Sequence, residues 1–156
     1  MITLLENALE RADGSYINPQ DLQALDQTIA AWQIRRQTYD LVQAKESTIV
    51  AQVMGYIDQA APTLPGRFME DGTDRCQRDM TLVLRYCATA MLLQDEDLLK
   101  ERFLYWMQNI MGALRRQKAN DRLYKLLQQV IQEQLPPQNA NLLLPYLVTA
   151  HQWLSQ

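Results

Sequence analysis

Cys76, Arg78 and Asp79 stand together near the start of the stretch from Thr73 to Asp95, T-D-R-C-Q-R-D-M-T-L-V-L-R-Y-C-A-T-A-M-L-L-Q-D. Residues three apart are neighbours on a helix, so the side chains of Cys76 and Asp79 are expected side by side. Arg75 precedes the cysteine and Arg78 lies between the two. A thiol in the first turn of a helix, close to two cations, is expected to have a lowered pKa and a larger thiolate fraction. Such a thiolate is a point of covalent attachment. The default for a cysteine near a helix start is a buried structural role, and Cys87, further along the apolar face, fits it as a small core residue. Cys76 differs by its company. Two guanidinium groups and a carboxylate suit a bulky ligand that carries both carboxylates and N–H groups.

A linear tetrapyrrole has those groups. The thiolate would add to a ring-A substituent and give a thioether. Asp79 would accept hydrogen bonds from pyrrole N–H groups and hold the pigment extended, and Arg78 would pair with a propionate.

Constellations for catalysis or metal binding are not found. The single histidine, His151, has Leu147 one turn before it and reads as a surface or partly buried residue on a terminal helix. One histidine cannot build a histidine metal site, and its place on the last helix disfavours heme. The sequence has no phosphate-cradling glycine loop, no dinucleotide fingerprint and no nucleophile elbow. Glu70-Asp71 reads as solvated. Arg115 to Lys118 reads as an exposed basic face, with phosphate or propionate binding as the weaker option. Tyr105 and Trp106 read as core rather than as a cofactor box.

The elements that must position these residues are helices. The chain has 156 residues, of which 47% are hydrophobic, enough for one domain with a real core. Five glycines, six prolines and an abundance of Leu, Gln, Ala, Glu and Arg favour helix. A formal net charge of −3 suggests neither a nucleic-acid surface nor an anionic-membrane surface. There is no apolar run long enough to span a bilayer, and the opening M-I-T-L-L-E-N lacks the pattern of a signal peptide. A cytoplasmic place and two thiols rather than a disulfide are therefore expected. On one helix the two cysteines would be roughly 16 Å apart, too far for a bridge.

Taken in order, Ile2 to Ala12 reads as a first helix with an apolar stripe of Leu4, Leu5, Ala8, Leu9 and Ala12. Asp13-Gly14-Ser15 is a turn, and Asn18-Pro19 opens a second helix, giving a hairpin. From Leu22 to Asp58 the pattern stays helical, with bends expected near Trp32 to Arg36 and Lys45 to Ser47, and Ser47 as a cap. Residues 61 to 72 read as a loop. After the helix from Thr73, Asp95 or Asp97 caps one from Glu96 to Ile110 with Leu99, Phe103, Trp106, Met107 and Ile110 as its stripe, and Gly112 breaks or kinks it. Ala113 to Lys118 reads as a short separate helix. Asn120 caps a helix from Asp121 to Gln134, ended by Pro136-Pro137, and Asn141 starts the last one, through Trp153, with Pro145 in its first turn or so.

The run C-Q-R-D-x-x-x-x-L-R-Y-x-x-x-A-M-L-x-x-D, Cys76 to Asp95, resembles the phycobiliproteins, the bilin-carrying globins of the phycobilisome. Ala12-Asp13-Gly14-x-Tyr16, then Asp21-Leu22 and a long helix, is similar to the opening hairpin of that family. The resemblance implies an all-α, globin-like helical bundle with an N-terminal two-helix extension: one domain over 1–156, with the extension at 1–32 and the globin body at 33–156. It implies Cys76 as the attachment site of a bilin such as phycocyanobilin, Asp79 as the pyrrole partner, Arg78 as a propionate partner, and Arg75 and Tyr86 beside them. It places Asp13, Tyr16, Arg85 and Tyr86 at a subunit interface, in a homodimer or in a heterodimer with a related subunit. Pro65 to Gly72, shorter and more acidic than the family's loop, and Gly112-Ala113-Leu114 depart from its pattern.

The resemblance implies one of two functions. One is a non-enzymatic, bilin-binding subunit for light harvesting or energy transfer, among phycobilisome components at the thylakoid membrane surface. The other is a divergent, unpigmented accessory globin associated with bilin synthesis, antenna assembly or antenna degradation.

Overall fold

The computed structural model describes residues 1–60, 73–113 and 117–156. In chain order its helices are α1 (Ile2–Ala12), α2 (Pro19–Ala30), α3 (Trp32–Ala60), α4 (Thr73–Leu93), α5 (Glu96–Leu99), α6 (Tyr105–Ala113), α7 (Gln117–Gln134) and α8 (Pro137–Leu154), with a π-helical turn, Lys100–Leu104, between α5 and α6. Among the described residues there is no strand. This is the all-α, globin-like architecture expected.

The opening hairpin forms for the local reasons its sequence offers. Asp13 closes α1 in the left-handed region (φ 41°), and Gly14 comes next at φ 80°, where a residue without Cβ fits best. Asn18 then caps α2 by accepting the N–H of Asp21, with Pro19 in the first turn. A fork from Arg11 ties the two helices: its Nε lies 3.0 Å from Asp21 Oδ2, and its Nη2 reaches Oδ1. That bond is the main cause of the lowered Asp21 pKa.

The chain breaks at Ala31, beside the bend expected near Trp32, and then runs unbroken through α3. The helix does not break near Lys45 to Ser47, so Ser47 is interior rather than a cap. Packing overrides propensity here. Val42, Ile49, Val50, Val53 and Ile57 are all buried on one side of α3, and Lys45 Nζ reaches across to Gln134 O at 2.6 Å. Helices α3, α4, α7 and α8 pack on one another around the core.

Asp95 begins α5, with its side chain accepting from Leu98 N. The next stretch departs from the simple helix expected over Glu96 to Ile110. Within the π turn the N–H of Tyr105 bonds Lys100 O, five residues back. The wider turn shifts the register of α6 relative to α5. Leu99, Phe103, Leu104, Met107 and Met111 are buried, while Trp106 and Ile110, expected in the stripe, are exposed. Gly112 lies inside α6 and does not break it.

Ala113 belongs to α6, and Gln117 and Lys118 belong to α7; residues 114–116 of the separate helix expected at Ala113 to Lys118 lie outside the described residues. The loop expected over 61–72 also lies outside them. Asn120 is not the cap of α7 but a buried residue inside it, and its Nδ2 donates to Leu154 O (2.9 Å) at the end of α8. Helix α8 starts at Pro137, four residues earlier than expected, with Asn139 and Ala140 N–H groups on Pro136 O. Pro145 is therefore well inside the helix. Its missing N–H would have met Asn141, and both residues lie on the solvent face, where water can serve that carbonyl.

Candidate functional site

Helix α4 sorts the predicted residues by face. Cys76, Met80, Val83 and Cys87 point into the core; Cys76 is 8% exposed and Cys87 fully buried. Neither cysteine is in a disulfide. Burial pushes the Cys87 thiol well above its ordinary pKa, so it is an inert core residue, as expected. Arg75, Asp79, Leu82 and Tyr86 recur at steps of four, three and four, which places them on one flank beside Cys76. Arg75 is exposed; Asp79 and Tyr86 are half-buried. Arg78 and Arg85, seven apart, take the outer face, and both are exposed.

Thus the cysteine turns inward and the arginines outward, with Asp79 and Tyr86 between. Arg78 leans back along its own helix, with Nε 3.4 Å from Asp74 O.

The flank continues onto the next element as an aromatic shelf. Tyr86 stacks on Phe103, with centroids 4.4 Å apart and planes at 19°. Phe103 meets Trp106 edge-on at 5.3 Å and 87°. The Trp106 indole N–H donates to Arg102 O (3.0 Å), which fixes the ring. The π turn makes this shelf, because it buries Phe103 under Tyr86 while leaving Trp106 at the surface.

A residue that the sequence did not single out lies near these groups. Tyr124, on α7, is almost fully buried. Burial raises its phenol pKa first, and Cys87, Cys76 and Asp79 add to the rise. The phenol therefore lies within electrostatic reach of both thiols and the carboxylate. Its only sequence signal was an apolar position in α7, shared with many core tyrosines.

The expected interface residues occupy two regions. Tyr16 is 100% exposed, in the hairpin turn near Asp13, which is also exposed. Arg85 is bonded within the chain by Glu46 of α3, at 2.7 and 2.6 Å. Nothing in the sequence pointed to Glu46, which lies 39 residues away from Arg85. The hairpin leaves Leu5, Leu9, Leu22 and Ile29 exposed, Leu9 at 57% and Ile29 at 63%. Ala8 alone of the expected α1 stripe is buried.

His151 is half-buried between α7 and α8, with Nε2 2.9 Å from Asp121 Oδ1 and Nδ1 3.1 Å from Gln128 Nε2. It joins two helices and is partly buried on the terminal one, as expected. Among the described residues no group of His, Cys, Asp and Glu could hold a metal ion, and no helix is long and apolar enough to cross a membrane.

Comparison with known proteins bears on this arrangement. A family model described as "Phycobilisome protein" matches residues 8–154. The chain is also similar to the C-phycocyanin-2 beta subunit of Microchaete diplosiphon, at 28% identity over 120 residues, covering 73% of this chain and 70% of that subunit.

Proposed function

Since this chain belongs to the phycobilisome protein family, we propose that it is a bilin-binding, phycobiliprotein-like subunit for light harvesting or energy transfer, and not an enzyme. The observation that carries this reading is the continuous flank from Arg75, Asp79 and Leu82 to Tyr86, Phe103 and Trp106, with Cys76 at its inner edge. These side chains fit a linear tetrapyrrole such as phycocyanobilin. Cys76 would carry the thioether. Asp79, half-buried and therefore less screened than a surface acid, would hold pyrrole N–H groups. Arg78 and Arg75 would meet the propionates from the solvent side. Tyr86 and the aromatic shelf would give the ring system an apolar face. The bound pigment supplies the visible absorption, and the protein supplies shape and charge.

In the same reading, residues 1–156 are one globin-type domain, with 1–32 as extension and 33–156 as body. The exposed apolar face of the hairpin is covered by a second subunit, either another copy or a related phycobiliprotein chain. Asp13 and Tyr16 of one subunit meet Arg85 and Tyr86 of the other. The assembly sits in the cytoplasm, among phycobilisome components at the thylakoid surface.

A second reading has one observation in its favour. Cys76 belongs to the hydrophobic core at 8% exposure, as an unpigmented accessory globin of bilin synthesis, antenna assembly or degradation would allow. Co-expression with bilin-synthesis enzymes separates the two. The pigmented reading expects a purified protein with a visible band, and an Asp79→Asn variant whose long-wavelength band is broader and weaker. A colourless wild type would leave the accessory reading.

A further inference from the structure

Asp95 stands where three elements meet: the end of α4, the start of α5 and the first turn of α1. It is 4% exposed. Its Oδ1 accepts from Leu98 N at 3.1 Å and from Thr3 Oγ1 at 2.9 Å, and its Oδ2 accepts from Thr3 N at 2.8 Å. The Leu98 bond is an ordinary N-cap of α5. The two bonds from Thr3 add nothing to that cap. They serve α1, 92 residues earlier in the chain. Helix α1 has no side-chain cap of its own, and the N–H of Thr3 is one of the donors a helix start leaves unmet. One carboxylate thus caps two helices.

The hairpin is an arm with its own internal tie, Arg11 to Asp21. Covalently it leaves the body at Ala31, between α2 and α3. The bonds from Thr3 to Asp95, together with those of the Met1 ammonium to Leu93 O, to Gln94 O (3.3 Å) and to Asp95 Oδ2 (3.3 Å), are a second attachment, at the far end of α1. With both in place the arm has one direction, and Leu5, Leu9, Leu22 and Ile29 are offered as a fixed face. A docking surface ordered in advance does not lose that freedom on binding.

We propose that Asp95 is a positioning residue for subunit docking, latching the hairpin to the body so that its apolar face is preset for the partner. This rests on the reading that a second subunit covers the hairpin. The residue touches no partner; it acts through α1.

Two substitutions weaken the latch from opposite sides, and both leave the Met1 ammonium on Leu93 O and Gln94 O. Asp95→Asn keeps an oxygen for Leu98 N, since Asn caps as well as Asp, but turns an amide N–H toward the N–H of Thr3. Thr3→Pro removes the donor itself, at a helix position where proline is tolerated, and leaves α5 untouched. The full chain is examined by hydrogen exchange and by sedimentation, alone and mixed with C-phycocyanin subunits. Each variant is expected to speed exchange across α1, leave residues 96–113 protected, and raise the dimer dissociation constant by about tenfold. The double variant is expected to match either single one, a coupling that simple loss of the α5 cap would not produce. Unchanged α1 exchange, or a dissociation constant within about twofold of wild type once the arm is freed, would overturn the proposal. A wild type that binds neither itself nor those subunits would remove the partner reading, and the docking role with it, while the exchange data would still report the latch.

Discussion

Arg85 and Glu46 form a two-bond fork between α4 and α3, with Nε to Oε2 at 2.7 Å and Nη2 to Oε1 at 2.6 Å. The hydrogen bond from Arg85 to Glu46 is the main cause of the raised Arg85 pKa. On an exposed face such a pair adds little to stability. Its effect is directional: it holds the guanidinium plane while leaving Nη1 for another acceptor, such as a carboxylate from a second subunit.

Asp13→Ala and Arg85→Ala are therefore each expected to weaken the dimer by on the order of tenfold or more, with the double variant little worse than either. Glu46→Gln should weaken it less, because the partner's carboxylate would still be met. Sedimentation equilibrium of these variants beside the wild type checks this. Additive losses would leave the dimer standing and discard the pair.

Asp95 predicts a dependence on pH. Burial raises its pKa, but bonds from Thr3 N, Leu98 N and Thr3 Oγ1, with the charge of the Met1 ammonium, outweigh this, and the folded pKa is lowered. A lowered folded pKa means that the carboxylate stabilises the protein above its unfolded value of about 3.9 and loses that effect as pH falls through the folded value. In urea unfolding, Asp95→Asn should be less stable than wild type at neutral pH by roughly 1–3 kcal/mol. The gap should shrink as pH falls toward and below the folded value. A gap that stays constant with pH would remove Asp95 as its source.

The parts of this fold that were legible in the sequence are those fixed by neighbours along the chain. Asn18-Pro19 announces α2, Asp95 announces α5, and Pro136-Pro137 ends α7, because caps and prolines act within one turn. The parts that were not legible are set by partners far away. Nothing within a turn of Lys100 signals a π turn; it is fixed where Phe103 must lie under Tyr86. Asn120 looked like a cap for its own helix and serves Leu154, 34 residues on. The same division runs through the candidate site. Cys76, Asp79 and Tyr86 share a helix and a readable spacing, whereas Tyr124 and Glu46 arrive from α7 and α3 by packing alone.

Asn120 gives a stability prediction. Its Nδ2 satisfies the buried Leu154 carbonyl at the end of α8. Asn120→Ala should destabilise the protein by about 1–3 kcal/mol, and Asn120→Asp by at least as much, because a carboxylate oxygen would face the carbonyl. Urea midpoints check both, and a loss below about 0.5 kcal/mol would show that water replaces the amide.

The thiols give a chemical prediction. Cys87 is fully buried with a raised pKa, so iodoacetamide should not label it in the folded protein and should label it in urea. Mass mapping of labelled peptides reads this directly. Rapid labelling of Cys87 in the native protein would contradict its place in the core.

In the proposed reading Cys76, and not Cys87, carries a bilin. The most direct measurement is zinc-enhanced fluorescence of acid-denatured protein after co-expression with bilin-synthesis enzymes, on wild type, Cys76→Ala and Cys87→Ala. A fluorescent band is expected in wild type and Cys87→Ala and none in Cys76→Ala. A band that survives in Cys76→Ala, or is absent from all three proteins, would contradict it.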